Sequence, residues 1–263
     1  MLKDPQKAID YIVNWIVNYL QKSGAKGLVV GVSGGIDSAL TSTLCALTNY
    51  PTIVLNMPIL QASPEYNRSC EHINWLKEKF SNVSSSEVDM SSVLSEYMKV
   101  LPKEIQTAHN MANLRSRLRM VCLYAFAGHY GYLVAGTGNK IEDFGIGFFT
   151  KYGDGGVDIS PIADLLKSEV YQLARYLKVP QSIIDAKPTD GLFEGSPTDE
   201  EKIGASYDEL EWAMKYLEKP TNEPLTERQQ KVLEIYKTRH QANLHKMIPI
   251  PVCTLPDELK ENF

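Results

Sequence analysis

The chain has 263 residues, enough for one large α/β domain or two small ones. Hydrophobic residues make up 43% and charged residues 22%, the balance of an ordinary soluble globular enzyme. The net charge of −5 speaks against a general nucleic-acid binder, which carries a basic face.

The four cysteines, Cys45, Cys70, Cys122 and Cys253, are not at metal-ligand spacing, and two of them fall inside apolar helical patterns. Reduced, partly buried thiols are therefore expected rather than disulfides or zinc. The first twenty residues, MLKDPQKAIDYIVNWIVNYL, place charges among the first ten and interrupt the apolar face with Asn14 and Asn18. They read as an amphipathic helix and not as a signal peptide, and no apolar run reaches membrane-spanning length. A cytoplasmic protein is expected.

Along the chain, Ile9, Ile12, Val13, Ile16 and Leu20 recur at helical spacing and predict one buried stripe. GLVVGV (27–32) predicts a strand and DSALTSTLCALT (37–48) a helix. TIVLNMPI (52–59) predicts a second strand, followed by a helix over 64–80. EVDM (87–90) predicts a short third strand, residues 91–98 a helix, and residues 105–131 a long one. YLVAGTG (132–138) predicts a fourth strand, and SPIADLLKSEVYQLARYLKVP (160–180) a further helix. Strands alternating with helices imply βαβ units, hence a doubly wound parallel sheet with right-handed crossovers. Residues 145–160 and 186–204 are long glycine-rich or polar stretches, expected to be lids held in place by ligand. Three prolines in HKMIPIPVCTLPDELKENF (245–263) predict an extended tail on the surface. No domain boundary is visible, so residues 1–263 are expected to form a single domain.

The informative stretch is LVVGVSGGIDSAL. A buried strand that leaves through Ser33-Gly34-Gly35 and enters a helix is an anion site, because turn amides and the helix N-terminus point at one concavity. Gly34 and Gly35 let a phosphate approach the main chain, while Ser33 and Ser38 offer hydroxyls. Neither the Walker A spacing nor the dinucleotide G-x-G-x-x-G is present. Asp37 would repel phosphates unless a cation lies between them, so it reads as a Mg²⁺ ligand; an ordinary first-turn helix acid is the alternative.

SGGIDS resembles the pyrophosphatase loop of the N-type ATP pyrophosphatases. NLRSRLRM (113–120), GTGNKIED (136–143), GFFTKYGDGGVDISPIADLLKSEV (147–170), KPTDGL (187–192) and HKMIPIP (245–251) resemble, in order and spacing, the NAD synthetases of bacteria. The resemblance covers nearly the whole chain, and FFTKYGDGGVD is its most specific element. It implies an adenine-nucleotide alpha-hydrolase-like, Rossmann-like fold. It also implies the ammonia-dependent form, since 263 residues leave no room for a glutaminase domain. The reaction implied is amidation of nicotinate adenine dinucleotide (deamido-NAD) by ammonia to NAD, through an adenylate, with ATP as co-substrate and Mg²⁺ as cofactor. AMP and pyrophosphate are released. A homodimer with the dinucleotide at the interface is implied, with no nucleic-acid or membrane partner.

By the same resemblance, Gly31, Val32, Ser33, Gly34, Gly35, Ile36, Asp37, Ser38, Thr137, Lys167 and Thr189 contact ATP, and Asp37 and Glu142 hold the metal. Arg117, Lys151, Asp158, His245 and Lys246 bind the dinucleotide, and Asp158 and Lys167 are the catalytic candidates. For Asp158, a substrate hydrogen bond and the orientation or deprotonation of ammonia are both open. Periodicity alone leaves Arg115, Arg117 and Arg119 open, because all three flank the stripe of Met111, Leu114, Leu118, Val121 and Ala125. The chain departs from the common GTDHAAE form in having GTGNKIED, which changes the residues between Thr137 and Glu142. Two rival readings are another amidating or thiolating ATP pyrophosphatase, and a nucleotide-sensing module that holds ATP without releasing pyrophosphate.

Overall fold

The computed structural model describes residues 1–60, 63–189 and 198–260. Helix α1 (Pro5–Ser23) starts where the Asp4 carboxylate accepts from Lys7 N at 3.1 Å, and stops at Gly24 in the left-handed region. Ile9, Ile16 and Leu20 are buried along the predicted stripe.

Four parallel strands form one sheet in the order β3-β2-β1-β4: β1 (Leu28–Gly31), β2 (Thr52–Asn56), β3 (Val83–Glu87) and β4 (Leu133–Val134). The chain winds outward from β1 through β2 to β3, then returns to the other side of β1 with β4. That reversal makes the sheet doubly wound and opens a crevice at the C-terminal ends of β1 and β4. Both faces are covered. Leu28 and Val30 pack with α1, with α2 (Ile36–Leu47) and with α6 (Lys167–Tyr176). Val29, Ile53 and Leu55 pack on the other face with α4 (Ser91–Val100) and α5 (Ala108–Tyr130). α3 (Ser63–Lys79) lies over Val54 and Val83.

Helix α2 is buried at every position from Ile36 to Ala46 except Asp37. Its Ser42 and Thr43 hydroxyls bond to carbonyls of the preceding turn, so a polar sequence tolerates a dry environment. Ser42 Oγ also lies 2.9 Å from Nε2 of the fully buried His72 on α3, whose pKa burial lowers to about 3.

Three expectations shift. The third strand is 83–87, not 87–90. Val83 is its buried anchor, but Ser84, Ser85 and Ser86 supply little alternation for a sequence pattern to find. The fourth strand is shorter than 132–138, because beyond Val134 the chain turns to pair Ala135 with Ile159. The helix expected over 160–180 begins only at Lys167. Leu166 is extended there, and the Glu169 carboxylate folds back to accept from its amide at 3.0 Å.

The sequence predicts no element over 205–244, yet α9 (Tyr207–Glu218) and α10 (Glu227–Met247) fill most of it. Preceded by α7 (Gln181–Ile184) and α8 (Asp199–Ile203), they build a second apolar cluster around a π-helical turn, Ile141–Ile146. The tail after Met247 is exposed over 248–260, extended as expected but without the burial that wrapping would give. Cys45 and Cys122 are buried, and all four cysteines are free thiols.

Candidate active site

The loop after β1 is shaped by its own side chains. Gly34 has φ +85°, and a Cβ there would run into the Glu65 carbonyl, so position 34 needs glycine twice over. Arg68 Nε donates to Gly34 O at 3.2 Å and pins the loop to α3. Ser38 Oγ donates to Gly35 O at 3.0 Å, accepts from Ser33 N at 3.1 Å and meets Ser33 Oγ at 3.0 Å. The Ser38 hydroxyl is thus a brace inside the loop, whereas Ser33 stands exposed. No side chain caps α2, which leaves its first amides to an incoming anion.

Asp37, in the first turn of α2, faces Lys167, the first residue of α6. Lys167 Nζ donates to Asp37 Oδ2 at 2.6 Å and to Glu142 Oε1 at 3.0 Å. Asn139 Nδ2 donates to Asp37 Oδ1 at 3.0 Å, and Tyr207 OH donates to Glu142 Oε1 at 2.6 Å. The lysine ammonium also lies 4.7 Å from the Tyr207 ring centre. Burial alone would lower the Lys167 pKa, but the Asp37 and Glu142 charges outweigh it and hold the ammonium above its usual range. Burial would likewise raise Glu142, yet Lys167 and then the Tyr207 hydroxyl bring its carboxyl below the ordinary value.

Two carboxylates converging on one cationic nitrogen are a donor pair that suits a hard divalent ion. Among the described residues no group of three or more potential metal ligands gathers. A Mg²⁺ held by Asp37 and Glu142 would therefore complete its shell from phosphate and water oxygens, its usual habit in nucleotide enzymes. Thr137 lies just past β4, at the same edge of the sheet, and is half-buried. Thr189 is half-buried too, the last described residue before 190–197. Asp190, Gly191 and Leu192 of the KPTDGL motif lie outside the described residues.

The departure at GTGNKIED has a spatial reading. The Asp143 carboxyl occupies the space into which a Cβ on Gly138 would project. A side chain at 138 and this placement of Asp143 exclude each other, so the acid of GTD has an acid from five residues later standing near its place.

A second cluster lies along α5 and the end of α10. Arg117 is exposed and its Nε donates to Lys151 O at 3.3 Å. Lys151 Nζ donates to His245 O at 2.6 Å, and Lys246 Nζ to Gly147 O at 2.9 Å and Phe149 O at 2.8 Å. Arg117, Lys151, His245 and Lys246 are thus contiguous. The α5 stripe runs differently from its periodicity: Val121 and Ala125 are exposed, while Arg115 is buried beside Met111 and Cys122. Arg119 Nε donates to Met57 O at 3.0 Å, and burial, aided by Arg115, lowers its pKa to about 10. Of the three arginines, Arg117 alone is exposed to a ligand approaching from solvent.

The loop 145–160 has protein partners of its own. Ser116 Oγ donates to Asp154 Oδ1 at 2.5 Å, Thr150 N to the same oxygen at 3.0 Å, and Thr150 Oγ1 to Asn113 Oδ1 at 2.7 Å. Asp158 closes this loop against the sheet: its carboxylate accepts from Tyr124 OH at 3.0 Å and from Val134 N at 2.8 Å. Asp158 is therefore an anchor here, joined by no hydrogen bond to Lys167, although it remains exposed on one side. Sequence reasoning missed Asn139 and Tyr207. Asn139 had a signal, its place inside the GTGNKIED motif between Thr137 and Glu142, and the structure buries it fully; Tyr207 had none.

A sequence model of the NAD synthase family matches residues 8–249. An NH(3)-dependent NAD(+) synthetase of Methanosarcina acetivorans is 39% identical over 220 residues, spanning 82% of this chain and 83% of that one. Among solved structures, the NMN synthetase from Francisella tularensis superimposes with a TM-score of 0.83 at 31% identity, covering 97% of this chain and 99% of its own. The NH3-dependent NAD synthetase from Campylobacter jejuni does so with a TM-score of 0.78 at 28% identity, covering 95% and 100%. The match over nearly the full chain places this protein in the NAD synthase family.

Proposed function

We propose that the protein amidates deamido-NAD with ammonia to give NAD, splitting ATP into AMP and pyrophosphate. The observation that carries this reading is the convergence of Asp37, Glu142 and Lys167 at the mouth of the Ser33–Ser38 loop. The nicotinate carboxylate first attacks the α-phosphorus of ATP, forming an acyl-adenylate and expelling pyrophosphate. The nitrogen lone pair of ammonia then adds to the acyl carbon, the carbon–oxygen bond to AMP breaks, and the added nitrogen loses a proton.

Both partners of the first step are anions, so the site must neutralise charge. In the Gly31–Ser38 stretch the first amides of α2 face the triphosphate, while Val32 N and Ser33 N are held by Leu55 O and Ser38 Oγ; Thr137 and Thr189 flank it, and Lys167 supplies a fixed ammonium. Asp37 and Glu142 would hold Mg²⁺, which when bound would screen the phosphates from the carboxylates. Arg117, Lys151, His245 and Lys246 take the dinucleotide, and the braced loop 147–158 keeps water from the adenylate. Because Arg117 and His245 are open to solvent, this cluster suits a site completed by a second subunit in a homodimer. The free thiols fit the cytoplasm, and among the described residues no helix is long and apolar enough to cross a membrane.

A second reading, favoured by the superposition on the Francisella NMN synthetase, is the same chemistry on nicotinate mononucleotide. Pyrophosphate release measured with ATP and ammonium, adding deamido-NAD, nicotinate mononucleotide or neither, separates the possibilities. Release that requires deamido-NAD supports the first reading, preference for the mononucleotide supports the second, and equal release without either acceptor overturns both.

A further inference from the structure

We propose that Tyr207 is a positioning residue for Glu142, fixing that carboxylate as a metal ligand; the inference rests on the metal reading above. Tyr207 opens α9, far from every motif that pointed to the site. Its ring is buried in the cluster of Ile141, Ile146, Leu166 and Leu210, where a phenylalanine would pack equally well. What phenylalanine lacks is the hydroxyl, and that hydroxyl is aimed at Glu142 Oε1 from 2.6 Å.

The geometry on Glu142 is asymmetric. Oε1 takes both the Tyr207 hydroxyl and the Lys167 ammonium. Neither of these two bonds falls on Oε2, so the phenol and the ammonium fix one oxygen and leave the other turned away from them, with the Asn139 side chain also bonded to the carboxylate. Glu142 sits in a π-helical turn, where no regular i to i−4 ladder steadies the side chain's base. Asn139 Oδ1 accepts from Glu142 N at 3.1 Å and holds the backbone, so the phenol holds what the backbone bond cannot, the carboxylate's rotation. Outer partners of this kind set the orientation of ligand groups and hence metal affinity.

The test uses the full chain with Mn²⁺ as the probe and α,β-methylene-ATP, which cannot be split at the bond concerned. Free Mn²⁺ is read by electron paramagnetic resonance. Y207F should weaken Mn²⁺ binding about ten-fold, with the KM for deamido-NAD within about two-fold of the parent. E142Q should also weaken Mn²⁺ binding, and the Y207F/E142Q double variant should be no weaker than E142Q alone, since the phenol acts through the carboxylate. If E142Q binds Mn²⁺ as the parent does, the metal reading falls and this inference falls with it. If E142Q is weakened and Y207F is not, the metal reading stands and Tyr207 is a packing residue only. Additive losses in the double variant overturn the inference too, because Tyr207 would then act by a route that bypasses Glu142.

Discussion

Replacing Lys167 by methionine keeps most of its volume and removes its charge, leaving Asp37 and Glu142 face to face. The lysine is 4% exposed and the two carboxylates 18% and 17%, so little water reaches the group to compensate. Breaking a buried ion pair from one side costs about 3–5 kcal/mol, and the partial exposure of the carboxylates puts this case near 3. With an m-value of about 3 kcal/mol per molar in urea, K167M should unfold at about 1 M less urea than the parent at pH 7. A divalent cation should then take the place the ammonium has left. For a Kd of about 1 mM, 10 mM Mg²⁺ stabilises the folded variant by roughly 1.4 kcal/mol. The parent, whose carboxylates are already paired, should gain less than half of that without nucleotide. Urea titrations followed by tryptophan fluorescence, with 10 mM Mg²⁺ or with EDTA, read both effects. An unchanged midpoint in K167M, or equal gains from Mg²⁺ in both proteins, would refute the idea that the Lys167 ammonium neutralises this pair of carboxylates.

R117A should raise the KM for deamido-NAD by roughly ten-fold to a hundred-fold, the loss of one charge-assisted contact, while the KM for ATP changes much less. R115A, on the buried side of α5, should instead lower the melting temperature, and initial rates beside thermal melts separate the two. His72 is held neutral down to about pH 3 in the folded state but titrates near 6.5 when unfolded, so the unfolded chain binds the extra proton and acid favours it. Its contribution should be fully present above pH 7 and should fall by about 2 kcal/mol between pH 7 and pH 5. H72Q should flatten that part of the stability profile in urea unfolding, and an unaltered slope would show that His72 is not its source.

The parts of the site that depend on neighbours in sequence were legible. A strand, two glycines and a helix acid lie within ten residues, and they fold into the loop that their chemistry predicts. The partners of Asp37 came only through resemblance, since no local pattern links residue 37 with 142 or 167. Tyr207 was invisible because an aromatic at the start of an amphipathic helix has the same pattern whether its hydroxyl is used or not. On α5 the apolar pattern misplaced the buried face. Arg115 can be buried while its flank remains hydrophobic, and periodicity, which puts all three arginines beside the stripe, cannot say which of them is covered. The third strand failed for the converse reason: an edge strand of serines is held by backbone pairing to β2, which leaves little trace in side-chain hydrophobicity.

The charged centre also bears on how the molecule comes into being. Its bonds join Asp37 to Asn139 across 102 residues, Asp37 to Lys167 across 130, and Glu142 to Tyr207 across 65. Contacts of such separation form late, after the chain has closed the long loops between them. During synthesis the N-terminal half, with β1, α2 and β2, can collapse while the residues that complete the centre are still unmade. A nascent chain thus has the Ser33–Ser38 loop long before it has Glu142, Lys167 or Tyr207. On the reading proposed above, ATP cleavage would wait for a nearly finished polypeptide, and partial chains would lack the means to waste nucleotide.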